Sequence, residues 1–553
     1  MPPRFSIYRR WMALPLGLAV PTAAAALLWW TERFVAATAI AGAVSLVIGF
    51  LLGIILLRTV LSSGYGVIGV ARTVVEEAVG TRVPLILLML VMMGLPALPL
   101  VLDPTERLEY RMQFFLNWGL SGAGFLLAMV TLVLACGSVC GDIDSQRIQM
   151  TLVKPIERWQ YLFGKWLGIV LLDLVLVGLA GIGIYAFTQA LRRSPEIDRA
   201  DRRAIEQEVL AARSSTRPEH PQREDFTKAL AAAAAQMEKD DPSSFAADPA
   251  GARRRIRSQQ LLEWHTVRPD VVSSYLFTGL DRARAGSQLV QLRLKPFAIN
   301  VGIDRADVRF AMWLNERPFP MRDGRHEEFT FASGSFHTIA LPSSAIADDG
   351  TLLVTIANRN LVPPGETEAT GISFSPGKGL EVLARVGGFE ANLFRALVLA
   401  WAKLAMLAAV ALAAAAWLGF PVAVLTGLMV YVAATAQGFL ADAIDAYTGL
   451  DAADASFVAM VRLRSTMLRE RLDALQLWEA AKTVASFIAD GFLALVPSFG
   501  SHDGVTQVAT GRLISWAETG WGLLVLAVAY PLVFLAVGWF LLERRDLVNV
   551  SGP

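Results

Sequence analysis

One stretch, Cys140 to Gly168, sets ionisable residues at a spacing that could do chemistry. It reads Cys-Gly-Asp-Ile-Asp-Ser-Gln-Arg-Ile-Gln-Met-Thr-Leu-Val-Lys-Pro-Ile-Glu-Arg-Trp-Gln-Tyr-Leu-Phe-Gly-Lys-Trp-Leu-Gly. Asp142 and Asp144 are followed by the cations Arg147, Lys154, Arg158 and Lys165, with Pro155 and Gly164 between them. Permanent cations and carboxylates at this spacing suit ion pairing and docking. The stretch lies between two long apolar runs, and short loops with this Lys/Arg load stay on the cytoplasmic side of a membrane. It therefore reads as a cytoplasmic platform. Pro155 should end a helix just before it, because the residue ahead of a proline avoids the α region. A short helix over about Asp142–Val153 would then lie across the membrane face. An ordinary basic connecting loop is the alternative, since the positive-inside rule makes such loops common.

Two further ionisable residues fall inside apolar runs. Asp173 sits mid-span, and Lys403 in a later span is a possible partner. Charges at membrane depth are costly and are functional candidates; a helix-packing or hydrogen-bonding role is the other reading. Bond-making chemistry finds no support. There is no Gly-x-x-x-x-Gly-Lys-Ser/Thr phosphate loop: Gly377-Lys378-Gly379 lacks the leading glycine and the hydroxyl residue, and Gly164-Lys165-Trp166 fails likewise. No Gly-x-Ser-x-Gly elbow, zinc-ligand motif or convergent acid pair is found. The five histidines are scattered. Cys136 and Cys140, one helical turn apart, exclude a disulfide framework, make a poor metal site and read as packing residues. No catalytic site and no cofactor are expected in this chain.

The loop resembles the coupling-helix loop of type-2 ABC transporter permeases: Gly-Glu, a polar run, a short apolar run, Lys-Pro, Arg, then Gly-Lys and a helix. Here Gly141-Asp142, Leu152-Val153-Lys154-Pro155, Arg158 and Gly164-Lys165 fill those places. Asp142 replaces the usual glutamate and keeps its charge, while Gln146-Arg147 replaces Gly-Thr. Ala71-Arg72 to Glu77-Ala78 resembles the elbow helix that opens such a core, with a plain juxtamembrane helix as the alternative. Val496-Pro497-Ser498-Phe499 resembles the Leu-Pro-Asn-Phe-like segment before the last span, and Arg544-Arg545-Asp546-Leu547 resembles the family's tail. The resemblance covers about Val67–Arg192 and Asn392–Leu547. It implies a six-helix permease core and an ABC ATPase subunit as a separate partner, which would carry the ATP and Mg. It also implies a second permease copy or paralogue, giving a dimer. Asp142, Asp144, Arg147, Lys154, Pro155, Arg158, Gly164 and Lys165 would couple to the ATPase.

The composition sets the solvent in which these elements work. The chain has 553 residues, 54% hydrophobic and 18% charged, with a mean hydropathy of +0.47. Soluble domains carry about a quarter charged residues. Several runs exceed the roughly 20 apolar residues that cross a bilayer. This predicts a polytopic α-helical membrane protein of about eight spans, multi-pass in the cytoplasmic (inner) membrane, with both termini cytoplasmic and membrane lipid as a partner. The net charge of +1 gives no case for nucleic acid.

Residues 1–60 read as an N-terminal transmembrane hairpin, Trp11–Trp30 and Phe34–Leu57. Residues 61–191 hold an amphipathic helix (Val67–Arg82, apolar face Val67, Val70, Ala71, Val74 and Ala78), spans Val83–Leu102, Gly119–Val139 and Phe163–Ala190, and the coupling loop 140–162. Asp103–Trp118 reads as a short outer loop. Residues 192–388 are an inserted extracytoplasmic α+β domain. Its first part, 192–266, reads as two or three helices (Ala204–Arg213, Phe226–Lys239, Ala252–Trp264). Its second part, 267–388, alternates and reads as a β-sandwich, with strands at Gln288–Leu294, Asp307–Leu314, Phe329–Phe331, Thr338–Leu341, Thr351–Ile356 and Ile372–Phe374. Tyr275, Trp313 and Arg-rich loops could serve a sugar or peptide, or the aromatics could fill a core. Residues 389–553 complete the permease core with spans Val398–Trp417, Val422–Leu440 and Trp521–Leu542. An outer segment, 442–515, carries an amphipathic stretch, Leu475–Leu495. Two functions follow: a permease subunit that exports a substrate or transmits force, or a membrane-anchored scaffold whose sandwich binds an extracytoplasmic protein or glycan.

Overall fold

The computed structural model describes residues 34–62, 66–80, 82–101, 108–146, 156–192, 205–219, 223–240, 242, 256, 259–260, 263–269, 271–285, 290–299, 307–322, 325–360, 362, 370–374, 379–448, 465, 468–469, 478, 481, 484–485 and 497–545. These residues divide into two compact units: residues 1–210 with 388–442 and 468–553, and residues 211–387 with 443–467.

The first unit is a bundle of apolar helices. They are α1 (Phe34–Val60), α2 (Gly66–Gly80), α3 (Arg82–Ala97, continued by a 3-10 turn, Leu98–Val101), α4 (Leu108–Asp144) and α5 (Arg158–Arg192). After the inserted region come α8 (Phe389–Trp417), α9 (Phe420–Thr448), the short α10 (Gly504–Ala509) and α11 (Trp516–Arg544, with a π turn at Leu524–Ala529). Six helices among the described residues are long and apolar enough to cross a membrane, and Ile86–Ala97 is a shorter apolar helix. The Trp11–Trp30 span lies outside the described residues, as does most of Leu475–Leu495.

Helix α8 is the centre. Ala405, Ala408, Ala409, Ala411, Ala415 and Ala416 are buried at its surface, and small residues let neighbouring helices approach closely where no hydrophobic effect drives them together. By contrast α1, α9 and α11 keep leucines, valines and methionines such as Leu52, Leu425, Met429 and Val533 exposed, as lipid-facing surfaces do. The expected outer loop Asp103–Trp118 is corrected: α4 begins at Leu108, because Met112, Phe115 and Leu116 continue its buried face.

The second unit is antiparallel β. One sheet has the order β1-β14-β4-β11: β1 is Ala211–Thr216, β4 Val290–Leu294, β11 His337–Leu341 and β14 Leu380–Gly388. Another runs β10-β6-β12-β3, with β3 (Val272–Phe277), β6 (Asp307–Leu314), β10 (Phe329–Ala332) and β12 (Leu352–Asn358), and with β7 (Arg317–Phe319) on β6. Smaller sheets join β2 (Thr266–Val267), β13 (Gly371–Phe374) and β5 (Pro296–Ile299), and β8 (Met321–Arg322) with β9 (Arg325–His326). Two short helices, α6 (Arg223–Asp240) and α7 (Asp281–Ala285), lie between strands in sequence. Successive strand residues face opposite sides of a sheet. Thus Val354 and Ile356 are buried opposite Leu314 and Met312, while Thr355 pairs with half-buried Trp313. Leu292, Val382, Phe310 and Phe277 join the same core.

The expected helix Ala204–Arg213 is corrected. One π turn, Ile205–Val209, is followed by strand β1. Helix propensity yields here to tertiary partners: Arg213 donates to Gln291 Oε1 at 2.5 Å, and Ser215 donates to Glu381 Oε2 at 2.6 Å.

Candidate functional site

The last turn of α4 delivers Asp142 to a buried cation. Lys165, two turns into α5, is 2% exposed. Its Nζ lies 2.8 Å from Asp142 Oδ2 and 3.6 Å from Glu77 Oε2 near the end of α2. It also donates to the Ser138 carbonyl oxygen at 3.2 Å. Tyr161, one turn earlier on α5, donates its hydroxyl to the same Asp142 oxygen at 2.8 Å. A buried ion pair is stable only when the desolvated groups find such additional partners. The cluster therefore ties α2, α4 and α5 at one point.

Close approach of α2 makes this geometry possible. Gly164 and Gly168 are one turn apart on α5, the small-x-x-x-small spacing of tightly packed membrane helices. A methyl on Gly168 would sit 2.5 Å from the Ala71 carbonyl oxygen, and one on Gly164 would sit 2.8 Å from that of Val67. The expected amphipathic helix supplies the other face: Val70, Ala71, Val74 and Ala78 are buried, and Val75 with them.

The remaining cations close helix ends. Arg158 Nη1 donates to the carbonyls of Leu542 at 2.6 Å and Glu543 at 3.0 Å, at the end of α11. Arg545 Nη1 donates to the Ala416 carbonyl at 3.0 Å, at the end of α8. The last four carbonyls of a helix have no partner within it, and a cation there also meets the negative end of the helix dipole. Cys140 Sγ lies 3.6 Å from the Leu418 carbonyl oxygen, and both cysteines are buried and free. The ends of α4, α5, α8 and α11 thus meet beside the loop.

The expected short helix starting at Asp142 is corrected in its first residues. Asp142–Asp144 continue α4, because Asp142 is pinned by Lys165 and Tyr161. The helix ends in a turn, with Ser145 N donating to the Gly141 carbonyl and Gln146 at φ 56°. Asp144 is exposed at this turn. Arg147, Lys154 and Pro155 lie outside the described residues. Glu77 and Tyr161 are the partners that sequence reasoning missed. An acid beside the buried face of α2 was the available signal, since burial demands a cation.

Asp173 and Lys403 are not paired. Asp173 is 1% exposed, and both its oxygens lie 3.0–3.1 Å from Thr131 Oγ1 on α4. Lys403 on α8 faces the ring of Phe499, 5.3 Å from Nζ. The α5–α8 contact is instead fastened by two indoles: Trp166 donates to the Ala405 carbonyl and Trp401 to the Val170 carbonyl, each at 2.9 Å. In the β unit, Tyr275 is fully buried against Trp264 and Phe374, a core aromatic. Trp313 stands edge-on to His326 at 4.8 Å.

Long apolar helices tied at a charged loop, with an antiparallel β domain inserted between α5 and α8, define a multi-pass membrane protein with an inserted domain. Residues 103–212 match the family model described as ABC-2 family transporter protein. These residues carry α4, the loop and α5, and over them the chain is similar to that family, which supports a type-2 ABC transporter permease. No curated protein and no solved structure matches the chain.

Proposed function

We propose that this chain is the transmembrane permease subunit of an ABC transporter, coupling ATP hydrolysis on a separate ATPase subunit to export or mechanical work across the cytoplasmic membrane. The family match supports the permease class. The observation that carries the coupling is the cluster of buried Lys165 with Asp142 and Glu77 beside the exposed turn Asp144–Gln146 that opens the loop. A push on the loop at Asp144, Arg147 or Lys154 reaches α2, α4 and α5 through that cluster, and α11 through Arg158. Lys165 and Gly164 act here as internal braces, since neither can touch a partner from a buried position. A displacement becomes work only if the bundle has two states that the ATPase binds unequally. The loop and Arg544-Arg545 face the cytoplasm under the positive-inside rule, which puts the inserted domain outside. A second copy or paralogue completes the dimer, and ATP and Mg belong to the ATPase.

The test is purification of the tagged chain from mild detergent, with partners identified by mass spectrometry and ATPase stimulation measured. A nucleotide-binding ATPase co-purifies, and Asp144→Lys with Arg147→Glu abolishes its stimulation while the permease stays folded. Full stimulation in that double variant removes the loop from the mechanism. A preparation free of ATPase but carrying extracytoplasmic proteins or glycans makes the chain an anchored binding module instead.

A further inference from the structure

Lys403 lies midway along α8, and the chain that faces it is irregular. Residues 497–503 hold no α-helix, only a 3-10 turn at Gly500–His502. Yet Phe499 N donates to the Ala434 carbonyl within α9 at 2.9 Å, and Gly504 packs directly on Ala396 of α8. Irregular backbone at membrane depth persists only where protein buries it or where it lines a cavity. A cavity of about 290 Å³ lies there. Its walls are apolar, with Leu120 and Leu127 of α4, Val177 of α5 and Leu399 of α8. Lys403, Tyr431, Thr435 and Asp503 add polar groups to the lining.

Among the described residues, the Lys403 ammonium has the Phe499 ring and no hydrogen bond or ion pair. Asp503 is near, but its Oδ1 accepts from the Val505 and Thr506 N–H groups as the cap of α10. An ammonium carries three donors, and a desolvated charge without an acceptor is costly. A molecule that fills the cavity can supply that acceptor.

We propose that this cavity binds an amphiphile with an anionic head, the head on Lys403 Nζ and the alkyl chain along the walls from α4, α5 and α8. The head is a carboxylate or a phosphate monoester, both of which accept hydrogen bonds from an ammonium. The site is independent of ATPase coupling and stands or falls on its own measurement.

The experiment uses the full chain in nanodiscs of zwitterionic lipid and isotope-labelled probes: a long-chain fatty acid, the alcohol of the same chain, and an alkyl phosphate. The acid binds at least about tenfold more tightly than the alcohol, the factor that one charge-assisted hydrogen bond supplies, and acetate does not compete. Lys403→Gln removes the preference for the acid, and Lys403→Arg retains it. Gly124 lines the cavity, and a Cβ there meets nothing within 4 Å. Gly124→Leu therefore has room for its Cβ at the cavity wall, takes up cavity space and weakens acid and alcohol together. Whichever of acid and alkyl phosphate binds more tightly identifies the head. Equal binding of acid and alcohol to the native chain overturns the proposal, as does a preference that survives Lys403→Gln. Should that variant fail to fold, unchanged binding in Gly124→Leu overturns it equally.

Discussion

Lys165 is a cation held in the bundle by three partners at once. Its ammonium is almost wholly buried, and its stability depends on Asp142, Glu77 and the Ser138 carbonyl together. Removing one member of a buried pair costs about 3–5 kcal/mol, because the other charge is left uncompensated. Lys165→Met is expected to lose that much thermal stability in detergent, and Lys165→Met with Asp142→Asn and Glu77→Gln to recover most of it. A single variant as stable as the native chain would remove the cluster from the account. The loop's charges were legible in the sequence, but their division of labour was not. Lys165 and Arg158 turn inward and Asp144 turns outward, which depends on helix ends brought together from distant parts of the chain. Asp173 was legible as a buried acid. Its Thr131 partner was not, since a threonine in an apolar run carries no signal of its own.

At the scale of elements, the α2–α5 contact is set by two glycines rather than by charge. Gly168→Leu must push α2 outward, because the Ala71 backbone occupies the space a side chain would take. Forced overpacking costs about 1–3 kcal/mol. The same shift draws Glu77 away from Lys165, so the variant is expected to lose both stability and ATPase stimulation. Retained stimulation would mean that α2 does not relay motion. Long apolar periodicity made most helices legible, and alternation made β6 legible with the bounds Asp307–Leu314. Strands β1 and β14 escaped. Ala211, Ala212 and Arg213 make the start of β1 look like the end of an Ala-rich charged helix, and the partners of Arg213 and Ser215 on β4 and β14 make it a strand. The start of α4 escaped too, since Glu109 and Arg111 interrupt the apolar run while Met112 and Phe115 carry it inward.

For the whole molecule, the two units have separate cores. The β unit closes around Leu292, Phe310, Ile356 and Val382, and among the described residues no helix of the bundle joins that cluster. A polypeptide of residues 211–387 is therefore expected to fold alone and melt cooperatively, as a domain with its own core does. A molten product without fixed near-ultraviolet dichroism would show that the domain needs its host.

The pairing of β1 with β14 also bears on how such a chain could arise. The strand that enters the domain and the strand that leaves it are hydrogen-bonded neighbours, and neighbouring strands lie about 4.8 Å apart. A module whose two ends emerge side by side can be spliced into a connection between two helices without prising them apart, much as a bead is threaded onto a closed string. Ancestral bundles could thus have gained, lost or traded such a module in a single genetic step, with the helices on either side of it in sequence inherited unchanged.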